Sequence, residues 1–365
     1  MRLGVPREVK VHEYRVGLTP TSVRELAERG HEVVVETAAG AGIGAADALY
    51  EKAGARIGDP WSADLIVKVK EPQPGERRRL REGQVLLAYL HLAPDRPQAE
   101  DLIRSKAVCI AYETVTKPGG GLPLLAPMSE VAGRMAIQVG ASCLEKERGG
   151  MGILLAGVPG VPPAKVAVLG AGVAGSNAVR MAVGAGTRVY ALDRAIEPLR
   201  NLEQEFGARV VTVYSSRDAL EQHVLSADLV VGAVLVPGAA TPRLVSRDMV
   251  KAMKPGAALV DISIDQGGCF ETSRPTTHAD PTYVAEGVVH YCVANMPGAV
   301  PRTSTYALGN ATLPFVLALA GKGWKKALAD DEHLRHGLNV ALGHITHPAV
   351  AAALNLPYQP AEALL

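Results

Sequence analysis

The sequence predicts an α/β protein built from two doubly wound parallel-sheet domains. Short apolar runs rich in β-branched residues alternate with helical patterns in both halves of the chain, which is the order of parallel strands covered by helices. The 365 residues are enough for two domains. A glycine-rich turn, VLGAGVAG (168–175), also follows a strand pattern and opens a helical one.

The first half of the chain contains five predicted strands separated by helices. The strands are RLGVP (2–6), HEVVVET (31–37), DLIVKVK (64–70), QVLLAYL (84–90) and AVCIAYETV (107–115), and the helices are SVRELAERG (22–30), ADALYEKAG (46–54) and AEDLIRSKA (99–107). Thr19 and Pro20 are a suitable cap and first-turn pair for the first helix, which should end at Gly30. These elements predict the first sheet.

The middle of the chain leads into a second alternating block. A long helix is predicted over 127–147, with Ser129 as its N-cap, because apolar residues recur there every four positions. A glycine- and proline-rich connection, 148–165, follows it. Six strand patterns come next: KVAVLG (165–170), TRVYALD (187–193), ARVVTVY (208–214), ADLVVGAV (227–234), ALVDISI (258–264) and VVHYCVAN (288–295). Six strands with intervening helices match a complete dinucleotide-binding fold.

The last part of the chain reads as helical. STYALGNATLPFVLALAG (304–321) predicts a long helix bent near Pro314, and the final forty or so residues predict one or two further helices. They are too few to form a domain, so we expect them to pack on the first one. The sequence thus predicts two Rossmann-like domains: a discontinuous substrate domain, 1–128 with 305–365, and an inserted dinucleotide-binding domain, 129–304, joined by two long helices.

The composition excludes several classes of function. Hydrophobic residues make up 48%, charged residues 21%, and the formal net charge is +1. Such a balance argues against nucleic acid or an anionic membrane as partner, and the basic stretch GERRRLRE (75–82) is interpreted as a solvated surface. No apolar run could span a bilayer. The N-terminus has charges where a signal peptide is apolar, so a cytoplasmic location is expected. The widely spaced cysteines are predicted to be buried free thiols: Cys109, Cys143, Cys269 and Cys292.

The glycine-rich turn has the pattern of a dinucleotide site. Gly170 would permit the tight turn, Gly172 would let the backbone approach a pyrophosphate, and Gly175 would allow close packing of helix on strand. Asp193 ends the next strand and would bind the ribose hydroxyls, which favours NAD over NADP, although Arg194 beside it weakens that exclusion. The alternatives are a glycine turn without a nucleotide, or one that binds S-adenosylmethionine.

Polar residues follow several of the predicted strands. Arg15, Lys70, His91, Asp261, Asp265 and Asn295 all lie where a parallel strand ends, which is where ligands bind in such sheets. Lys68 lies on the same face of its strand as Lys70. Each residue alone could be structural: a lysine paired with a neighbour, an aspartate capping a helix, a histidine satisfying backbone groups. Together they offer two cations for a carboxylate, a histidine and an acid, which would suit oxidation or reduction of a small carboxylic acid.

A metal site is the competing interpretation of the histidines. His333 and His336, and likewise His344 and His347, are three residues apart on predicted helical turns. No cysteine or carboxylate with ligand spacing accompanies them. A solvated or core role is therefore favoured, and no metal is expected.

Long blocks of the sequence resemble the family of alanine dehydrogenase and the soluble nucleotide-binding part of proton-translocating transhydrogenase. The resemblance covers essentially the whole chain, through blocks such as GVPREVKVHEYRVGLTP, DLIVKVKEP, LPLLAPMSEVAGR, VLGAGVAG, VDISIDQGGCFETSRPTT and YCVANMPGAVPRTSTYALGNAT. It is weakest in the last forty or so residues. Ala156 stands where close relatives have glycine, a departure from which we expect no functional consequence.

The resemblance implies roles for individual residues. Arg15 and Lys70 would hold the carboxylate of pyruvate or alanine, with His91 and Asp265 as catalytic groups and Asn295 near the substrate. The cofactor contacts that it implies are Ser129, Asp193, Ser215, Val234, Leu235 and Met296, besides the three glycines. It implies reversible, NAD-dependent oxidative deamination of L-alanine to pyruvate and ammonia, a reaction of amino-acid catabolism, in a homohexamer whose two domains close over the substrates.

Three alternatives remain open from the sequence. The chain could be a transhydrogenase-like domain that binds NAD and passes hydride to a partner, although such a domain would not need Arg15, Lys70 and His91 together. It could be a dehydrogenase for a lysine- or saccharopine-type substrate. It could also be an NAD-binding regulatory module without turnover.

Overall fold

The computed structural model describes residues 1–234 and 241–365. Its strands are short, mostly apolar runs, as the sequence patterns predict. In chain order they are β1 (Arg2–Val5), β2 (Glu32–Val35), β3 (Arg56–Ile57), β4 (Leu65–Val67), β5 (Val85–Ala88), β6 (Val108–Ala111), β7 (Lys165–Leu169), β8 (Arg188–Asp193), β9 (Val210–Tyr214), β10 (Leu229–Gly232), β11 (Ala258–Asp261), β12 (Thr282–Ala285), β13 (Val288–Tyr291), β14 (Leu338–Ala341) and β15 (His344–Ile345).

Helices separate most of these strands. They are α1 (Pro20–Glu28), α2 (Asp47–Lys52), α3 (Pro74–Arg77), α4 (Arg96–Ser105), α5 (Ala126–Cys143), α6 (Val173–Gly184), α7 (Ile196–Phe206), α8 (Arg217–Ser226), α9 (Arg247–Ala252), α10 (Pro301–Lys322), α11 (Trp324–Asp330), α12 (Glu332–Arg335) and α13 (Pro348–Leu354). Thr19 caps α1 as predicted: its hydroxyl accepts the N–H of Ser22, and Pro20 occupies the first turn. In the described chain, no helix is both long and apolar enough to cross a membrane.

The chain folds into two compact units. Unit 1 comprises Met1–Met128 with Val300–Leu365, and unit 2 comprises Ser129–Ala299. The chain passes from unit 1 to unit 2 within α5 and returns just ahead of α10. The helix α10 continues through Pro314, and the bend predicted at that proline stays a prediction.

Unit 1 is organised around a sheet with the strand order β15-β14-β6-β5-β4-β1-β2-β3. The strands from β6 to β3 are parallel. Every residue of β4, β5 and β6 is buried, because helices cover both faces of a parallel sheet and leave no polar side. Polar side chains that follow these strands therefore lie together at one edge of the sheet.

The C-terminal segment departs from the helical prediction. It contains α11, α12 and α13, but also the antiparallel hairpin of β14 and β15, and β14 pairs with β6. Leu342 and Gly343 form the hairpin loop with positive φ angles of 50° and 92°, which suits a tight two-residue turn. His344 thus lies in a strand and His347 precedes α13, so the prediction of helical turns for this pair is wrong. β14 has only four residues, one of them Asn339, which is too few to distinguish a strand from a buried helix by pattern.

Unit 2 is organised around a sheet with the order β12-β13-β11-β10-β7-β8-β9. Six of these strands are parallel and repeat the 3-2-1-4-5-6 order of a dinucleotide-binding fold. The antiparallel edge strand β12 was not predicted. The prediction of Ser129 as an N-cap is wrong, because α5 already begins at Ala126, whose N–H donates to Leu122. All four cysteines are buried and unpaired, as predicted.

Candidate active site

Arg15 is held in a buried ion pair in unit 1. Its side chain is 2% exposed, and its Nε and Nη2 atoms donate to the two carboxylate oxygens of Glu13 at 2.7 and 2.6 Å. Burial alone would lower the pKa of Arg15, but Glu13 outweighs it and raises that pKa, so the guanidinium stays charged. Glu13 occupies one edge of the guanidinium fork, and a second carboxylate therefore cannot use that edge.

Lys68 lies in a second buried network of charged side chains. The strand ladder continues past β4 to Lys68, whose N–H donates to Leu87. The Lys68 ammonium is 0% exposed and lies 3.1 Å from Glu8 and 2.7 Å from Glu76. Burial acts to lower the pKa of Lys68, yet the two carboxylates raise it overall. Lys68 is thus a structural cation, as one of the sequence interpretations allowed.

Glu8 links this network to Lys70. One carboxylate oxygen of Glu8 binds Lys68, and the other accepts the backbone N–H groups of Val69 at 2.7 Å and Lys70 at 3.4 Å. Lys70 is half-buried just beyond the end of the ladder. Burial acts to raise the pKa of the neighbouring Glu71, but a hydrogen bond from Lys10 and the charge of Lys70 outweigh it and lower that pKa. The backbone of Lys70 is therefore fixed from the protein interior.

His91 follows β5 at the same edge of the sheet. Its side chain is exposed, and its ring stacks on that of Tyr89 with centroids 5.9 Å apart. The Tyr89 N–H donates to Val69, and its hydroxyl donates to Leu124 at 2.6 Å. Burial raises the pKa of Tyr89, while the neighbouring charge of Arg15 opposes that shift. Tyr89 thus contacts one predicted site residue, His91, through its ring, and its N–H bonds to the residue before Lys70.

Four further residues of this region were missed by the sequence interpretation. They are Glu8, Glu13, Tyr89 and Glu113, whose carboxylate accepts the N–H of His91 at 2.7 Å. Their only signal in the sequence is an isolated charge or hydroxyl beside an apolar run. The spacing of Glu13 and Arg15, two residues apart, is the one local hint of a pair.

The glycine-rich turn of unit 2 has the geometry that a dinucleotide requires. Gly170 has a φ of 98°, and a Cβ at Gly175 would lie 1.8 Å from the Gly170 carbonyl oxygen. A Cβ at Gly172, by contrast, would meet nothing within 4 Å. Gly172 is also the N-cap of α6, so the helix N-terminus can be approached closely by an anion there. The three glycines fit a bound pyrophosphate.

Asp193 ends β8 and faces the same turn. Its two carboxylate oxygens accept the N–H groups of Ala171 at 2.7 Å and Ala195 at 2.8 Å. A carboxylate has about four lone-pair sites, so ribose hydroxyls can still be bound. Arg194 beside it is exposed, and the N–H of Ser215 donates to the backbone oxygen of Asp193 at 2.9 Å. Ser215 therefore lies beside Asp193 at the ends of adjacent strands.

The two candidate aspartates after β11 have different environments. Asp261 is 0% exposed and accepts hydrogen bonds from Ser263 N and Cys269 N, both at 3.0 Å, and from the Ser273 hydroxyl at 2.6 Å. Burial raises the pKa of Asp261, and these bonds oppose the shift. Asp265 is exposed on the short 3-10 helix Ile262–Gln266. Asp261 thus shapes the loop, and Asp265 is the acid presented to solvent.

The remaining predicted contacts of unit 2 that the structure describes follow β10 and β13 or lie within α5. The Val234 carbonyl, just after β10, accepts the hydroxyl of Ser263 at 2.7 Å and so connects to the Asp265 loop. Asn295 has a φ of 62°, and its carbonyl accepts the N–H of Gly298 at 2.9 Å. Met296 is buried, and Ser129 is half-buried within α5. Leu235, the other predicted contact, lies outside the described residues.

The histidines considered as metal ligands in the sequence have other neighbours in the structure. The Thr116 hydroxyl lies 2.8 Å from Nδ1 of both His333 and His336. Burial lowers the pKa of His347, with Glu113 opposing. Over residues 1–234 and 241–365, no group of three or more metal-ligating side chains is arranged to hold an ion.

Unit 2 has the strand order and turn of a dinucleotide-binding protein, and unit 1 groups cations beside a histidine. Comparison with known proteins names the family. The models for "Alanine dehydrogenase/PNT, N-terminal domain" and "Alanine dehydrogenase/PNT, C-terminal domain" match residues 4–132 and 136–348. The chain belongs to the alanine dehydrogenase/PNT family, as its sequence blocks indicated.

Individual relatives extend over the whole chain. Alanine dehydrogenase of Halomonas elongata is 60% identical and that of Mycolicibacterium smegmatis is 54% identical, each with 100% of both chains covered. A solved L-alanine dehydrogenase superposes with a TM-score of 0.95 at 51% identity, covering 97% of this chain and 99% of the other. A transhydrogenase from Sinorhizobium meliloti superposes with a TM-score of 0.81 at 25% identity, covering 96% and 100%. The predicted fold of two doubly wound α/β domains is confirmed.

Proposed function

We propose that this chain is an NAD-dependent alanine dehydrogenase, which catalyses the reversible oxidative deamination of L-alanine to pyruvate and ammonia. The observation that carries the proposal is that unit 1 contains Arg15, held charged by Glu13, together with Lys70 and His91, which follow neighbouring strands of its sheet. A hydride-transfer partner domain would bind its dinucleotide without such a set. The full-length relatives named alanine dehydrogenase support the same substrate.

The two units divide the work in this proposal. Residues 1–128 and 305–365 form the substrate domain, and residues 129–304 form the NAD-binding domain. The first contains the buried cations and His91, and the second contains the glycine-rich turn, whose geometry fits a pyrophosphate. NAD, when bound, accepts the hydride from the substrate or, as NADH, returns it. Ser129, Gly170, Gly172, Gly175, Asp193, Ser215, Val234, Leu235 and Met296 are the proposed cofactor contacts.

The substrate carboxylate is held by Arg15 and Lys70. Arg15 is kept ionised and fixed in orientation by Glu13, so its position is set before the substrate binds. Lys70 contributes a point charge on a backbone that Glu8 fixes. Preorganised cations lose little conformational freedom when a ligand binds. This matters most for a small ligand, which has few atoms with which to make favourable contacts. Asn295 is proposed to contact the substrate as well.

His91 and Asp265 are the proposed catalytic groups. As alanine is oxidised, its amine nitrogen becomes an iminium, which water then attacks to release ammonia. A histidine can accept and donate the protons of these steps near neutral pH, and His91 is exposed where a ligand can reach it. The Asp265 carboxylate is also exposed and would stabilise the developing cation.

An assay in the reductive direction tests the proposed function. Purified protein is mixed with NADH, pyruvate and ammonium, and NADH oxidation is followed by absorbance. We expect turnover that requires all three components, together with L-alanine-dependent NAD reduction in the reverse direction. Hydride exchange between NADH and an NADP analogue without any need for pyruvate would favour the transhydrogenase-like alternative. NADH binding without turnover on pyruvate, lysine, saccharopine or other amino acids would favour a regulatory module.

We also propose that the protein is a homo-oligomer, with a hexamer as the expected state. Leu154, Val158 and Val161 are 64%, 54% and 58% exposed. Val158 and Val161 face each other in a small hairpin closed by two backbone hydrogen bonds. Exposed apolar residues that cluster can mark a contact with another protein, and a second copy of the chain is the proposed partner here. Light scattering coupled to gel filtration measures the state, and a monomer at micromolar concentration would contradict the proposal. A cytoplasmic location remains an expectation.

A further inference from the structure

The backbone of His91 is in an unfavourable conformation. Its φ is 48°, in the left-handed region that only a few per cent of non-glycine residues adopt, histidine more often than most. Such a conformation persists only where the surrounding structure holds it in place. The residue lies three positions after Ala88, where β5 ends, so the turn decides where its imidazole is directed.

A single carboxylate holds this turn. Oε1 of Glu113 accepts the N–H of His91 at 2.7 Å and that of Leu90 at 3.1 Å, and Oε2 lies 3.2 Å from the same Leu90 nitrogen. Bonds from N–H groups to an ionised acceptor are stronger than those between neutral groups. Glu113 thus binds two successive N–H groups at the residue whose backbone is strained.

Glu113 is itself held in place by the C-terminal segment of unit 1. It lies in the 3-10 helix Tyr112–Thr114, which follows β6. Ala111 N donates to Gly337 at 2.7 Å, and the side-chain amide of Asn339 donates to the hydroxyl of Thr114 at 2.7 Å. Two residues further on, Thr116 bonds to His333 and His336. The residues on both sides of Glu113 are therefore anchored.

We propose that Glu113 is a positioning residue for His91: its carboxylate holds the strained turn after β5 and thereby directs the imidazole toward the substrate. The proposal rests on the proposed function, in which His91 transfers protons. Glu113 acts through the backbone and does not exchange a proton with the substrate. Its contribution should consequently vanish when the imidazole is absent, and it should not depend on the carboxylate charge alone.

A double-mutant cycle tests this role. Glu113→Ala should lower kcat for pyruvate amination by about 10–100-fold, the scale of a misplaced catalytic group, with the Kd for NADH unchanged by fluorescence titration. Glu113→Gln keeps an oxygen that accepts the two N–H groups and should recover kcat to within a few fold of wild type. In a His91→Ala background, Glu113→Ala should have almost no further effect. Glu82→Ala, which removes an exposed carboxylate paired with Lys106, is the matched control and should leave kcat unchanged.

Several outcomes would overturn the proposal. If the fold decreases in kcat of the two single variants multiplied in the double variant, Glu113 would act independently of His91. A Glu113→Gln variant as impaired as Glu113→Ala would mean that the charge takes part directly. A lowered melting temperature with normal kcat per active site would mean a structural role only. If His91→Ala kept the wild-type kcat, the proposed function of His91 would be wrong. If His91→Ala lowered kcat and Glu113→Ala did not, only the positioning role of Glu113 would be refuted.

Discussion

The two units build their proposed binding sites by opposite means. In unit 1, the side chains of Arg15, between β1 and α1, and Lys68, just after β4, are buried against carboxylates, and the site depends on paired charges. At the strand ends of unit 2, the turn from Gly170 to Gly175 depends on the absence of side chains. A buried charge network fails when one partner is removed, because the other charge is left uncompensated. A glycine-rich turn fails when an atom is added.

The strongest test of this contrast is the loss of a buried cation. Arg15→Ala should lower kcat/KM for pyruvate by about 10³-fold, a loss typical of removing one member of a desolvated charge pair. It also leaves Glu13 buried without its partner, so the free energy of unfolding should fall by about 3–5 kcal/mol. The protein that remains folded should bind NADH as wild type does. Steady-state kinetics, urea unfolding and fluorescence titration measure the three quantities. A variant with lost NADH binding and a normal KM for pyruvate would be incompatible with the division of labour.

His91→Ala, also in unit 1, should lower activity without lowering stability. The side chain is exposed, so the melting temperature should change little. We expect kcat to fall by about 10²–10⁴-fold, the span for removing a general acid–base group, and the pH profile of kcat/KM should change shape. A large drop in melting temperature with near-normal kcat, or an unaltered pH profile, would contradict the catalytic role.

In unit 2, adding one methyl group to the glycine-rich turn should be enough to weaken NADH binding. Gly175→Ala places a Cβ 1.8 Å from the Gly170 carbonyl oxygen, which must displace the turn. Overpacking costs about 1–3 kcal/mol, so the Kd for NADH should rise by roughly 10–100-fold. Gly184→Ala is the matched control, since its Cβ would meet nothing within 4 Å at the end of the same helix, α6. Equal Kd values for the two variants would show that the close approach does not matter for binding.

The smallest expected effect concerns the choice of cofactor. Asp193→Ala removes the bonds from Ala171 and Ala195 and the repulsion of a 2′-phosphate. Since hydrogen bonds to a charged group contribute about 1.5–3 kcal/mol, kcat/KM with NAD should fall by about tenfold or more. The value of kcat/KM with NAD divided by that with NADP should therefore be smaller in the variant than in the wild type. An unchanged ratio in the variant would remove Asp193 from the account of NAD preference.

The same contrast explains what could be predicted from the sequence. The turn of unit 2 was predicted residue by residue, because its backbone conformation requires glycine at fixed spacing. The network of unit 1 was predicted only in part: Glu8 and Lys68 are far apart in the chain and meet only when β1 and β4 pair. The sequence placed Lys70, and not Lys68, where the strand ends, but it gave no sign that Lys68 would be buried between Glu8 and Glu76. The hairpin of β14 and β15 was missed because its strands are too short for a clear period.

The central claim is that unit 1 binds the substrate and unit 2 binds the cofactor. Its most direct test measures the KM for pyruvate and the Kd for NADH in two variants, Arg15→Lys and Gly175→Ala. Arg15→Lys keeps a charge beside Glu13 but loses the planar fork. We predict that it raises the KM for pyruvate and leaves the Kd for NADH unchanged, and that Gly175→Ala raises the Kd for NADH. A Kd for NADH that rose in Arg15→Lys as much as in Gly175→Ala would contradict the claim.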